Sequence, residues 1–211
     1  MPGRATADHE PAPPVKLTRA EKAERTRARL FHAATETVGE RGYADTSIAK
    51  ITERARVALG TFYNYFDSRQ DILDQLLPAM GLELIALIRE RLLLVEDPAA
   101  RERARLEAFF DFLVDHPSFY RILNEAEMFA PVGFRQHMEN MVRSYKTVLR
   151  TETRAAVDNE YSEVHAYMLL AARNYLAMRY SVRNGDVRRP PAYVIDAYMN
   201  LVTRGIFSEP T

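Results

Sequence analysis

The stretch Thr46–Phe66, TSIAKITERARVALGTFYNYF, restricts the fold more than any other part of the chain. Ile48, Ile51 and Ala55 recur at helical spacing, and Phe62 and Phe66 lie four apart further on. With Val57 between them, they predict two short helices joined by a three-residue turn over a small core. Left outward on the second helix are Leu59, Gly60, Thr61, Tyr63, Asn64 and Tyr65. That face is small, neutral and rich in hydroxyl and amide groups, which can meet phosphates and base edges without filling a major groove. In a helix-turn-helix the second helix enters the groove while the first crosses the backbone.

Arg29-Leu30, ERGYADTSIAKI from Glu40, Val57, GTFYNYF from Gly60, Ser68 and Arg69 together resemble the DNA-binding domain of the tetracycline-repressor (TetR) family. The resemblance covers about residues 18–75. A bare helix-turn-helix pattern is weakly specific, but this ordered set at these spacings is highly specific. It implies that Ser47, Lys50, Leu59, Gly60, Thr61, Tyr63, Asn64, Tyr65 and Arg69 form the DNA-binding surface, with Arg69 reaching a phosphate. Three positions depart from the family pattern. Arg56 replaces the usual turn glycine, Ala58 the usual serine cap of the recognition helix, and Ala49 an arginine that commonly helps bind DNA.

Composition narrows the class. There is no cysteine, which excludes disulfide frameworks and thiolate zinc sites. No apolar run reaches membrane-spanning length; Leu76–Ile88 contains Pro78 and Glu83. The N-terminus lacks an apolar signal core. The expectation is a soluble, cytoplasmic protein with no membrane partner. Net charge is zero, but residues 1–70 hold twelve Lys/Arg against nine Asp/Glu, and residues 16–30 hold six against two. Such a run is either a solvated helix face or a phosphate-attracting patch. Its position just before the helix-turn-helix favours the patch.

Along the chain, residues 1–17 read as a basic, proline-rich, disordered tail. Thr18 and Glu21 make a capping box that starts the first helix. Gly42 is expected to end it as a left-handed cap, Thr46 to cap the second helix, and Ser68 with Asp71 the fourth. Pro78 and Gly81 interrupt the fourth helix; the kink is either a hinge that transmits a ligand signal or a fit to local packing. Asp97-Pro98, Pro117, Pro131 with Gly133, and Pro190-Pro191 mark further breaks. Val114 is expected inward on the fifth helix, and the eighth is expected to extend from about Glu160 to Arg183, ended by Asn184-Gly185. Gly205 should close the ninth. No strand of useful length appears. The fold class is all-α, about nine helices: a three-helix DNA-binding domain over 18–72 and a larger ligand-binding and dimerisation domain over 73–211.

Helices 8 and 9 are apolar on more than one side. The family resemblance implies a homodimer through them, on a near-palindromic operator. Helices 5 to 8 should surround a pocket walled by Phe109, Phe112, Phe119, Tyr120, Phe134, Tyr145 and Tyr167. Candidate polar anchors are His116, Arg121, Asn124, Glu125 and Arg173. Most aromatics at helical spacing are ordinary core, and the polar residues are more often surface than ligand contacts. No G-x-S-x-G, H-E-x-x-H, Walker or G-x-G-x-x-G motif is present, and the five histidines are scattered. No catalytic residue, metal or cofactor is expected. The chain reads as a ligand-responsive transcriptional regulator. Its expected form is a repressor dimer on a double-stranded DNA operator, released by a small hydrophobic effector. The alternative is a helical binding or scaffolding protein whose helix-turn-helix no longer reads DNA.

Overall fold

The computed structural model describes residues 18–152, 159–183 and 185–204, with backbone alone at 148–152, 159 and 160. The proline-rich tail, Asn184 and Gly205 lie outside the described residues. At the first of these positions the capping box forms: Glu21 N–H donates to Thr18 Oγ1 at 3.2 Å, and Thr18 N–H to Glu21 Oε2 at 2.6 Å. It opens α1 (Arg19–Arg41), followed by α2 (Ile48–Ala55), α3 (Leu59–Phe62) and α4 (Arg69–Arg91). Then come α5 (Pro98–Asp115), α6 (Pro117–Phe129), α7 (Pro131–Glu152), α8 (Asn159–Leu176) and α9 (Ala192–Arg204). The fold is all-α, as the periodicity predicts. Between α8 and α9 the chain makes a π-helical turn, Ala177–Ser181, and a two-residue hairpin, β1 (Val182–Arg183) on β2 (Asp186–Val187).

Proline and acid residues start helices where the sequence places them. Asp97 caps α5, accepting from Ala100 N–H at 2.7 Å, and Pro98, Pro117 and Pro131 take first helical positions. Ser68 accepts from Asp71 N–H at 3.1 Å and so caps α4. Leu30, Val38, Tyr43, Ile51, Phe62 and Phe66 are buried and close the small N-terminal core. Through Leu73, Leu76 and Leu77 of α4, that core continues into α5, α6 and α7.

Several local expectations are corrected. The cap of α2 is Ser47, which accepts from Lys50 N–H at 3.3 Å. Thr46 is buried and its hydroxyl donates to Gly42 carbonyl at 2.8 Å, so it is already engaged. Gly42 has φ 83° and ψ 168°, an extended glycine conformation instead of a left-handed one. Gly133 breaks nothing: it lies inside α7. The eighth helix ends at Leu176, short of Arg183, because its last turn widens into the π turn. Val114 faces out on α5.

The proline in α4 and the glycines near it make sense together. Pro78 has no N–H, so the carbonyl of Asp74 loses its helical donor. α7 packs there: Gly133 N–H donates to Asp74 Oδ1 at 3.0 Å, and a Cβ on Gly133 would lie 2.1 Å from the Asp74 carbonyl oxygen. One turn on, a Cβ on Gly81 would lie 2.3 Å from His137 Nδ1. Gly133 thus lets the α7 backbone touch that of α4 beside the proline, and Gly81 makes room on α4 for the His137 side chain.

Candidate nucleic-acid interface and effector cavities

The helix-turn-helix owes its turn to two exceptional residues. Arg56 closes α2 at φ 54° and ψ 49°, in the left-handed region that disfavours a side chain. Its carbonyl and that of Ala55 accept from Arg29, at 3.2 Å in the case of Arg56, so a guanidinium satisfies the end of α2. Ala58 precedes α3 and offers no side-chain cap. α3 is a single helical turn, held from behind by Phe62 and Phe66 with ring centroids 5.5 Å apart.

Outward from that anchor, Leu59 is 54% exposed and Tyr63 57%. Gly60 and Asn64 are exposed, and Thr61 and Tyr65 are half-buried, Tyr65 against the core. A Cβ on Gly60 would meet nothing within 4 Å, so nothing in the fold requires glycine there. Ser47 and Lys50 sit at the start of α2, Ser47 half-buried and Lys50 exposed. Arg69 is half-buried, and its guanidinium donates to the carbonyls of Tyr43 and Thr46, tying the α1–α2 loop to α4.

The basic run is partly structural. Arg27 donates to Gln75 at 2.7 Å and lies over Phe66, and Arg29 caps α2. Arg54 pairs with Glu36 and Glu40. Arg19, Lys22 and Arg25 remain on the exposed side of α1.

Besides a cavity of about 670 Å³ between α1 and α4 that His116 lines, two cavities among the helices of the larger domain adjoin predicted pocket residues. One, of about 360 Å³, lies among α4, α5 and α7 and is lined by Ile85, Ile88, Leu92, Arg101, Arg105, Met141 and Tyr145. The other, of about 410 Å³, lies among α6, α7 and α8. Its walls include Leu123, Asn124, Phe134, His137, Met138, Met141, Tyr167, Leu170, Arg173 and Asn174. Both fall in the lower part of the ~300–1,000 Å³ range of ligand pockets. The second brings together Asn124, Phe134, Tyr167 and Arg173 of the candidate residues; Tyr145 lines the first. Phe112 stacks on His116 at 4.1 Å and meets Phe119 edge-on at 5.0 Å, all outside both cavities. Phe109 lies beneath Arg173, and Tyr120 lines neither cavity.

Sequence reasoning did not pick out His137 as a wall. It is buried in α7, hydrogen-bonded to the Leu77 backbone, and desolvation with the nearby Arg173 charge pushes its pKa down to about 3. Burial likewise pushes the Tyr145 phenol up to about 12. The one buried carboxylate among the described residues is Glu102, held above the usual range by burial although Tyr198, Arg105 and Arg173 oppose the shift. Its oxygens accept from Tyr198 at 2.6 Å and Arg105 at 3.3 Å.

Arg121 and Glu125, candidates for cavity anchors, face the other way. Arg121 donates to the carbonyls of Gly39 and Glu40 at 3.1 and 2.8 Å, capping the end of α1. Glu125 accepts from Tyr43 N–H at 3.0 Å and pairs with Arg121 at 3.2 Å. A Cβ on Gly39 would lie 2.1 Å from Ser118 Oγ, and one on Gly42 2.8 Å from Glu125. α6 therefore walls a cavity with Leu123 and Asn124 and grips α1 with Ser118, Arg121 and Glu125.

A short module with an outward polar turn, seated on a helical domain containing cavities, is the architecture of a helix-turn-helix protein with a second, larger domain. Residues 30–76 match the profile of the bacterial regulatory proteins, tetR family. Over 99 residues the chain is 33% identical to the HTH-type transcriptional activator FasR of Mycolicibacterium smegmatis, covering 47% of this chain and 45% of that protein. The match thus spans a little under half of that relative's length. A TetR-family transcriptional regulator from Syntrophomonas wolfei superposes with a TM-score of 0.74 at 21% identity, over 89% of this chain and 99% of that one. The regulator FadR from Bacillus subtilis, solved in complex with stearoyl-CoA, superposes at 0.67 with 17% identity, over 85% and 98%. At these identities the structural likeness speaks for the fold alone. The chain thus carries the DNA-binding module of the tetR family of bacterial regulatory proteins over residues 30–76, on a fold that TetR-family regulators share. No described helix is long and apolar enough to cross a membrane.

Proposed function

We propose that this protein is a ligand-responsive repressor that binds a near-palindromic operator as a dimer and is released by a hydrophobic small molecule. The observation that carries the DNA reading is the outward face of α3, where Gly60 stands exposed with open space around it. Glycine at an exposed helical position costs about 0.5–1 kcal/mol relative to alanine. Close approach of a duplex explains its retention. The dimer reading rests on α8 and the π turn after it, where Tyr161, Val164, Met168, Ala171 and Tyr175 of α8 and Met178 of the turn recur at three-four spacing and are exposed. Tyr193 and Leu201 of α9 add to that apolar surface. Sedimentation at micromolar concentration should show a dimer, and a monomer there removes this part of the reading.

For the effector, the cavity beside α6 supplies a route to DNA. A ligand that prefers a displaced α6 shifts α1, and with it the spacing of two recognition turns, through the Arg121 and Glu125 contacts. A coupling of about 1–3 kcal/mol suffices for induction. The fold shared with a regulator solved with stearoyl-CoA supports a hydrophobic effector. FasR is named an activator, so a reporter driven by the bound operator should be read in both directions.

The test is selection of bound fragments from random DNA, followed by binding measurements on variants. Gly60→Leu should fold like the parent and lose DNA binding. Thr61→Ala or Asn64→Ala should change sequence preference, at about 1–3 kcal/mol for a base-edge pair. Tyr63→Phe should weaken all sequences alike. Parental binding by all four variants refutes the assignment of this face.

A further inference from the structure

Arg173 is only 4% exposed, yet it has no carboxylate partner among the described residues. Its guanidinium lies 4.6 Å over the Phe109 ring and 5.9 Å from the Tyr145 ring, and it hydrogen-bonds the neutral Tyr145. Nη1 is buried with no hydrogen-bond partner at all. Such a charge is costly unless an anion answers it.

Glu102 is near enough for the Arg173 charge to act on it but forms no ion pair with it, and Glu127, which lines the same cavity, is exposed. Glu102 is committed to Arg105 and Tyr198. Among the described residues, two buried guanidiniums, Arg105 and Arg173, stand against this one buried carboxylate. Arg173 also lines the cavity among α6, α7 and α8, whose other walls include Leu123, Phe134, Met138 and Leu170. A cavity of about 410 Å³, apolar along Leu123, Phe134, Met138 and Leu170 and polar along Asn124, Glu127, His137 and Asn174, with a buried guanidinium nitrogen lacking a hydrogen-bond partner at its wall, has the chemistry to take an amphiphile with a single negative end.

We infer that the effector is a medium-length monocarboxylate, its carboxylate paired with Arg173 and its apolar tail against Leu123, Phe134 and Met138. This deepens the effector reading above and rests on it. It selects one of the two cavities and a free acid over an ester or thioester. Esters and thioesters present a neutral carbonyl, which leaves the guanidinium without its counter-charge.

The test uses the full chain and calorimetric titration with decanoate, decanol, methyl decanoate and decanoyl-CoA. Decanoate should bind more tightly than decanol and the methyl ester by about 10- to 100-fold, the worth of a hydrogen bond to a charged group. Arg173→Met, which keeps apolar bulk, should abolish that preference; Arg173→Lys should retain part of it. Thermal melting of both variants checks that they fold. If Arg173→Met fails to fold, equal binding of decanoate and decanol by the parent, or by Arg173→Lys, still overturns the inference. So does absence of decanoate binding, tighter binding of decanoyl-CoA than decanoate, or a preference for acid that survives in Arg173→Met. DNA binding is measured on the same preparations without ligand. Decanoate failure with intact DNA binding overturns the carboxylate site alone, whereas loss of DNA binding by the parent overturns the regulator reading.

Discussion

Arg56→Gly should stabilise the protein, and the amount follows from one backbone angle pair. Arg56 is the sole non-glycine with positive φ among the described residues, at φ 54° and ψ 49°. A left-handed L-residue costs about 1–2 kcal/mol. Glycine removes that strain but loses about 0.4–1 kcal/mol through the greater freedom of its unfolded chain. The net gain is about 1 kcal/mol, which raises Tm by about 2–4 °C in a chain of this size. The backbone bonds that hold the turn do not depend on the side chain: Arg56 N–H donates to Glu53 carbonyl at 3.1 Å, and its own carbonyl accepts from Arg29. Thermal unfolding followed by circular dichroism measures the shift, with Arg56→Ala as control because alanine keeps the strained Cβ. Equal gains in the two variants would show that removal of the charge, not the backbone strain, matters. No gain in Arg56→Gly refutes the strain argument outright. Affinity for DNA against salt separates a second effect: if Arg56 meets a phosphate, both variants lower the salt slope by about one.

Gly133→Ala should destabilise by about 1–3 kcal/mol despite alanine's better helix propensity, because its Cβ would sit 2.1 Å from the Asp74 backbone oxygen; the midpoint of urea unfolding reports it. His137 should make stability fall with acid. Its folded pKa, about 3, lies below the unfolded value, so between about pH 6.5 and 3 the unfolded chain takes up a proton that the native state refuses. Its contribution is intact above that window and is lost progressively as pH falls through it, at up to about 1.4 kcal/mol per pH unit. His137→Gln should remove that component from the pH profile of unfolding free energy. Pro78→Ala should alter effector-induced release of DNA by about 0.5–2 kcal/mol if the bend in α4 carries the signal; unchanged release assigns the bend to packing.

What the sequence displays well is whatever depends on neighbours within one or two turns. The Thr18–Glu21 box, the Ser68 cap, the proline starts of α5, α6 and α7, and the buried anchors Phe62 and Phe66 all follow from short-range pattern. What it hides depends on partners far along the chain. Arg29 reads as part of a basic run, yet its role is set by the carbonyls of Ala55 and Arg56. Arg121 and Glu125 read as pocket polar groups because the sequence cannot tell which side of α6 faces α1; their partners are about 82 residues away. Gly133 reads as a break because glycine in a helix is unfavourable, and only the Asp74 carbonyl shows why a side chain is excluded. Thr46 and Ser47 are both good caps, and burial of Thr46 decides between them.

The chain breaks local rules in two distinguishable ways. At Pro78, Gly81 and Gly133 each irregularity is answered from within: the lost helical bond and the missing side chains make room for α7 to approach α4. At Gly60 and Arg173 no such answer appears among the described residues. One is a helical glycine facing open space, the other a buried guanidinium with Nη1 lacking a hydrogen-bond partner. A fold selected for stability alone would have placed alanine at the first and an apolar side chain at the second. On the readings proposed above, these are the two surfaces where something outside the chain completes the chemistry, a duplex at α3 and an anion between α6, α7 and α8. α6 touches both halves of that arrangement, with Leu123 at the cavity and Arg121 at the end of α1. The proposed coupling of effector to DNA therefore runs through α6, and Arg121→Ala, which cuts its grip on the end of α1, should weaken effector-induced release while leaving effector binding unchanged.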